Sequence, residues 1–394
     1  MKPPLDVIFV ILDVKITVDN AAVLQTQVGD QILALRRLGL RPGLACTVED
    51  AERFARVLGD RLTEAGVPVW TVRHRGLWAN LIALLRVVYA IYRRSNARKA
   101  YARSIWSALA IRLAAPGGKL PYVYDVRGAL GDETVTKGSP VWKAWIFTRL
   151  ERAAVRGARH VSTVSARLAA DLRFRYGVDD VVVIPSCVNA DLMVTDDHAR
   201  DTSRAALGFP PDAIVFAYSG GLNYYQQVPE MLALWRCLLA DPRVHFMLLT
   251  NDTPHVHERA FDLKAFGRRL VHRSVPHSEV HGLLLGADVG FLLREQLPLN
   301  AVASPVKAAE YLMAGLALVV SPQIGDLSSL VERQEIGVLV PAGDPLRGSE
   351  LVNTLLARLD HDRIGFRRRA RETAMLYYDW KAYAPIFQRF YGSD

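Results

Sequence analysis

One alternation runs the length of the chain and limits what it can fold into. Short apolar runs stop at Gly, Ser, Asp or Asn, and each is followed by an amphipathic stretch of helical period. Strands buried on both faces of a parallel sheet read as continuous apolar runs, and the amphipathic stretches between them supply the covering helices. In the first half the predicted strands are 7–12, 42–47, 67–72, 100–103, 122–126, 160–164 and 181–184, with helices over 24–38, 52–65 and 142–156. The pattern then restarts with strands 214–218, 245–249, 271–275, 289–293 and 317–320 and helices 229–239 and 305–314. Between the halves, residues 189–212 are polar and contain Asp196, Asp197 and His198, then Pro210 and Pro211. That composition places a boundary near residue 190. The expected fold class is α/β, with two doubly wound domains facing each other across a cleft. In such sheets ligands bind beyond the carboxyl ends of the strands.

A length of 394 residues fits two domains, and 51% hydrophobic with 23% charged residues excludes disorder, collagen and coiled coil. The formal charge of +9 is unevenly placed: residues 1–194 carry 28 Lys and Arg against 17 Asp and Glu, residues 195–394 carry 21 against 23. The surplus therefore belongs to the first domain. Cys46, Cys187 and Cys237 have no metal-ligand spacing and suit a reducing cytosol. Met1 to Pro4 leads straight into the first strand, so no cleavable leader is expected. The most lipid-like stretch, 77–92, is shorter than the roughly 20 residues a spanning helix needs and contains Asn80 and Arg86.

The best local signal lies at 304–315. Ser304 is suited to an N-cap, Pro305 to the first helical position and Gly315 to the stop. Lys307 then stands in the first turn, where the helix dipole disfavours a cation unless an anion is also present. Free backbone N–H groups and an ammonium together make a phosphate site. Glu310 falls on the same face three residues later, so a plain Lys307–Glu310 surface pair is the competing reading. Two further strand ends are polar or glycine-rich: Ser219-Gly220-Gly221, where backbone can approach a ligand, and Thr250-Asn251-Asp252. The strand over 289–293 delivers Arg294 at its end.

These segments give the second half a resemblance to the donor domain of glycosyltransferase family 4, whose retaining members have the two-Rossmann GT-B fold. The likeness rests on Ser219-Gly220-Gly221-Leu222, on the Pro-x-Lys-x-x-Glu-Tyr helix from Pro305 to Gly315, and on Ser321 to Asp326. It is extended by Ile184 to Asn189, Val275 to Val280 and Gly337 to Asp344, and covers about residues 150–394. It implies an acceptor domain over 1–190, joined by a returning C-terminal helix over 375–394, and a donor domain over 191–374. It also implies that Glu310 bonds the donor ribose, that Lys307 holds the diphosphate, and that Gly220, Gly221, Asn251, Arg294 and Ser304 line the donor site. The sequence departs from the family in three places: Val302 stands eight residues before Glu310 where an acid is common, Gly221 where Arg is frequent, and Gln226 near the usual Lys. Arg294 is placed to replace the missing charge.

In the first half, Asp125 and Arg127 end a strand near the position where relatives carry a histidine. They are the catalytic candidates beside Lys307, Asp125 as a base or hydrogen-bonding group and Arg127 against phosphate or acceptor; a structural Asp125–Arg127 pair is the alternative. Asp132 and Glu133 follow on the same loop. The resemblance thus implies a glycosyltransferase that moves a sugar, with retention, from a nucleoside diphosphate sugar to a glycan or lipid-linked acceptor in cell-surface polysaccharide synthesis. No Asp-x-Asp stands at a strand end, so neither a metal nor another cofactor is expected. Two alternatives are a nucleotide-sugar epimerase of the same fold and a degenerate relative that binds a glycan or a partner. No nucleic-acid motif is present. The basic first half and the aromatic, arginine-ended stretch 77–94 suit an anionic membrane surface at the inner face of a cytoplasmic location, although a core helix with solvated ends has the same pattern.

Overall fold

The apolar run Val7–Val14 (β1) pairs in parallel with Pro42–Val48 (β2) on one side and with Lys99–Ala102 (β4) on the other. The structure is a computed structural model and describes residues 5–14, 23–95, 97–128, 140–193, 197–251 and 263–392. Val69–Arg73 (β3), Tyr122–Val126 (β5), His160–Thr163 (β6) and Val181–Val183 (β7) complete a seven-stranded sheet in the order β3-β2-β1-β4-β5-β6-β7. A second sheet is built from Ile214–Ser219 (β8), Val244–Leu249 (β9), Leu270–Arg273 (β10), Val289–Leu292 (β11), Ala317–Val320 (β12) and Gly337–Leu339 (β13). Its order is β10-β9-β8-β11-β12-β13. Every described pairing is parallel. Each sheet is therefore doubly wound and Rossmann-like, and each reverses its strand order once, at β1/β4 and at β8/β11. β13, which opens on Gly337, is not among the strands predicted from the sequence.

The two sheets belong to two units, Met1–Pro185 with Trp380–Asp394, and Ser186–Asp379. The chain thus leaves the second unit after Asp379, not at 374. The reason is that helix Arg363–Tyr378 runs unbroken through that point and Tyr378 O accepts from Val188 N at 2.8 Å. The returning segment is anchored in the first unit by aromatic burial: Trp380, Phe387 and Phe390 are all essentially inaccessible, and Trp380 Nε1 donates to Thr26 O at 3.1 Å. Phe390 stacks on His160, and Lys99 Nζ donates to Gly392 O at 2.7 Å.

The lipid-like stretch forms helix Leu77–Ser95, whose Leu81, Leu84, Val88 and Ile91 are buried while Trp78, Ile82 and Tyr89 on the other face are exposed. Asn80 is buried because its side chain accepts from Arg75 N at 2.7 Å. Among the described residues no helix is long and apolar enough to cross a membrane. The arginine run near the C-terminus does not form one face: Arg367 turns inward to Ala287 O and Ala314 O, whereas Arg369 pairs with Asp362. Burial pushes the Cys46 thiol up to about 12, which leaves it inert.

Candidate functional site

In the second unit the carboxyl ends of β8 and β11 lie side by side at the strand-order reversal, and the side chains gather there. Helix Val306–Met313 leads from β11 to β12, with Pro305 in extended conformation at its N-cap position and no side-chain cap. Ser304 is not the cap: its Oγ accepts from Ser186 N at 2.9 Å and ties the loop to the start of the unit. The helix therefore begins one residue later than the sequence suggests, and Lys307 is its second residue. Gly315 stops it as expected, with φ of 78°.

Lys307 does not pair along the helix with Glu310. Its Nζ donates to Tyr218 Oη at 3.1 Å and to Gln226 Oε1 at 3.3 Å, and lies 4.3 Å from the centre of the Tyr218 ring. The Tyr218 hydroxyl donates in turn to Gly221 O at 2.5 Å. Glu310, buried, accepts at Oε1 from His277 Nε2 at 2.8 Å. A carboxylate only accepts, so this bond makes Nε2 the protonated ring nitrogen. Gly220 has φ of 127°, and the lysine stem passes over it so closely that the glycine accommodates Lys307 instead of leaving its own backbone open.

Arg294 enters from the end of β11. Its backbone N donates to Ser321 Oγ at 2.9 Å, its Nη1 donates to Asn300 Oδ1 at 3.2 Å, and its guanidinium sits 5.2 Å from the Tyr225 ring centre. Asn300 is held by donating to Glu295 O at 2.8 Å. Among the described residues no carboxylate pairs with Arg294, its Nε is buried without a partner, and burial lowers its pKa. Tyr225 and Gln226 are neighbours in one helical turn, so a single turn meets both cations. The other strand-end candidate, Asn251, is not brought to this cluster: its Oδ1 accepts from Ser274 Oγ at 2.8 Å. Polar strand-end composition alone does not distinguish it from a ligand-facing residue.

Four contributors here escape sequence reasoning. His277 and Tyr311 are visible only as members of longer motifs, and Gln226 reads as a lost lysine when it is a partner of the lysine that is present. Tyr218 has the look of an ordinary strand residue. Tyr311 Oη accepts from Ser219 N at 2.8 Å and so fixes the end of β8, and its ring occupies the space above Gly290.

In the first unit Asp125 is buried at the end of β5 with both oxygens engaged. Arg127 Nε donates to Oδ2 at 2.5 Å, Tyr101 Oη donates to the same oxygen, and Ser162 Oγ donates to Oδ1 at 2.9 Å. Burial raises the carboxyl pKa, but the Arg127 and Arg103 charges and these hydrogen bonds outweigh it, and the net direction is down. A carboxylate so held is a poor proton acceptor, which removes Asp125 from the base role and makes it the anchor of Arg127. Arg127 Nη1 also reaches Gln27 Oε1 at 3.3 Å, and Arg103 Nη1 donates to Gln27 O at 3.1 Å. Asp132 and Glu133 lie outside the described residues. Among the described residues no group of three or more His, Cys, Asp or Glu side chains is arranged to hold a metal ion.

Residues 24–187 match the family model described as glycosyl transferase 4-like domain. No curated protein matches the sequence. Solved structures align over nearly the whole chain. Sucrose-phosphate synthase from Thermosynechococcus elongatus does so at 15% identity and a TM-score of 0.73, covering 98% of each chain. HepE from Anabaena, in complex with UDP, aligns at 14% and 0.71 over 97% of this chain and 98% of that one. WaaG, a glycosyltransferase involved in lipopolysaccharide biosynthesis, aligns at 15% and 0.63 over 96% and 99%. Likeness at these identities carries the fold. Two Rossmann-like units and the domain match together make the chain a glycosyltransferase of the GT-B class. More particularly, it carries a glycosyl transferase 4-like domain, consistent with glycosyltransferase family 4.

Proposed function

We propose that the protein transfers a sugar from a nucleoside diphosphate sugar, held by the second unit, to a saccharide acceptor held by the first. The observation that carries this reading is the convergence of Lys307 and Arg294 on one turn beside β8, with Glu310 on the face of the helix that bears Lys307. Breaking a glycosyl–phosphate bond builds negative charge on the leaving diphosphate, and cations already fixed where that charge develops lower the barrier. Glu310, oriented by His277, has a second carboxylate oxygen for the ribose hydroxyls. HepE structures that hold UDP and UDP-glucose support a donor of this class. In this reading the two cations do the work of a metal, so turnover survives chelator, and the anomeric configuration of the sugar is retained. Binding of UDP and UDP-sugars by calorimetry tests the site: Glu310→Ala and Lys307→Ala should each weaken binding about tenfold or more, since ~1.4 kcal/mol is a factor of ten. Unchanged affinity in both folded variants would refute the assignment.

The acceptor is read as a glycan or lipid-linked saccharide of a cell-surface polymer, met at an anionic membrane face. Supporting this, Trp78, Trp142 and Trp145 on the first unit are 68%, 60% and 58% exposed. Trp78 and Phe147 both meet Trp106 edge-on, and Arg149 lies 4.6 Å from the Trp145 ring centre. Aromatic rings beside cations suit a headgroup layer. Sedimentation with phosphatidylglycerol vesicles should carry the protein down, and Trp142→Ser with Trp145→Ser should release it. Equal pelleting by the double variant would discard the membrane face.

A further inference from the structure

We propose that Arg103 and Arg127 form a subsite for an anionic group, phosphate or carboxylate, on the acceptor saccharide. The inference rests on the reading of the first unit as the acceptor domain, and it adds the acceptor's chemical class.

Two guanidiniums stand around a single buried carboxylate, Asp125, and among the described residues no second acid pairs with either. Arg127 takes the ion pair. Arg103 is left with a bond to the neutral carbonyl of Gln27 and a place beside the Tyr101 hydroxyl. A guanidinium has five N–H donors, and desolvating it without a counter-charge is costly. Burial and the nearby Arg127 both push the Arg103 pKa down, the direction an incoming anion would reverse.

The cluster also stands where such sheets take ligands. Arg103 directly follows β4, Arg127 directly follows β5, and Gln27 lies on the helical segment after β1. These are the carboxyl ends of strands at the β1/β4 reversal, where doubly wound sheets bind ligands.

The second unit supplies the contrast. Asp288 is also outnumbered, by Arg200 and Arg204, but there the surplus is met by backbone carbonyls: Arg200 reaches Leu285 O and Ala287 O, and Arg204 reaches Gly286 O and Ala213 O. That cluster sits at the amino ends of β8 and β11, away from the strand ends where such sheets take ligands. The Arg103 cluster lies instead at carboxyl strand ends, where Arg103 has one backbone carbonyl, Gln27 O, and a guanidinium fork suits two oxygens of a carboxylate or a phosphate.

The test uses the full chain saturated with UDP, which occupies the donor site, and titrates glucose 6-phosphate, glucuronate, inorganic phosphate and glucose by chemical shift or calorimetry. The anionic sugars should bind and glucose should not; the stronger of the two identifies the group as phosphate or carboxylate. Arg103→Gln should weaken anion binding at least tenfold. Arg103→Lys, which keeps the charge and the fold but loses the fork, should weaken it less. Glucose binding as well as its phosphate, no anionic sugar binding at millimolar concentration, or unchanged affinity in Arg103→Lys and a folded Arg103→Gln would each overturn the subsite. UDP binding, measured first on the same sample, reports on the donor site separately, so the two readings fail independently.

Discussion

A Cβ placed on Gly220 would lie 2.6 Å from Lys307 Nζ and 2.5 Å from its Cε. The first glycine after β8 is thus a complement to a lysine far along the chain, and the pair defines one wall of the candidate donor site. Gly220→Ala should displace the ammonium from Tyr218 and Gln226 and strain a backbone held at φ of 127°. The expected result is about tenfold weaker UDP binding, roughly what one charge-assisted hydrogen bond contributes, with a smaller loss of melting temperature. Titration calorimetry beside a thermal melt separates the two effects.

Tyr311 supports the same strand end from the helix that carries Lys307. Tyr311→Phe leaves the Ser219 N–H buried without its acceptor, which costs on the order of 1–3 kcal/mol. Urea unfolding should show that loss. Donor affinity should fall less than in Lys307→Ala, because no charge is removed.

Asp288 ties helix Asp197–Leu207 to β8 through Arg200, Arg204 and the Val215 N–H, which donates to it at 2.9 Å. Burial alone would raise its carboxyl pKa, but the surrounding arginines and that N–H bring it below the usual carboxylate range. A lowered folded pKa means stability that is present above the unfolded value of about 4 and lost as pH falls through the folded one. Asp288→Asn should therefore cost about 3–5 kcal/mol near neutrality, and the difference from wild type should shrink below about pH 4. Chemical denaturation at pH 7, 5 and 3 checks both the size and the sign.

Trp380 begins the returning segment and is 1% exposed. Trp380→Ala should destabilise the first unit by about 3–5 kcal/mol, through the emptied volume and the lost bond to Thr26 O. Proteolysis should then cut first within the unit that contains β1, since the second unit ends before residue 380.

Sequence by itself determined what depends on local chemistry. Apolar runs of continuous type give parallel strands buried on both faces, so most strands of both sheets were readable, β5 with its residues at 122–126 among them. Gly315 had to stop its helix, and Lys307 had to fall in that helix's first turn. Tertiary structure decided the pairings that cross the chain. Lys307 chose Tyr218 and Gln226, 89 and 81 positions away, over Glu310 three residues along its own helix. Glu310 turned to His277, and Ser304 gave up its expected cap to hold Ser186. Asp125 became an anchor because Tyr101, Ser162 and Arg127 enclose it, and the Arg103 charge beside it has no trace in local periodicity. Spacing fixes which face of an element a side chain occupies; which partner waits on that face depends on how strands distant in sequence are ordered in the sheet.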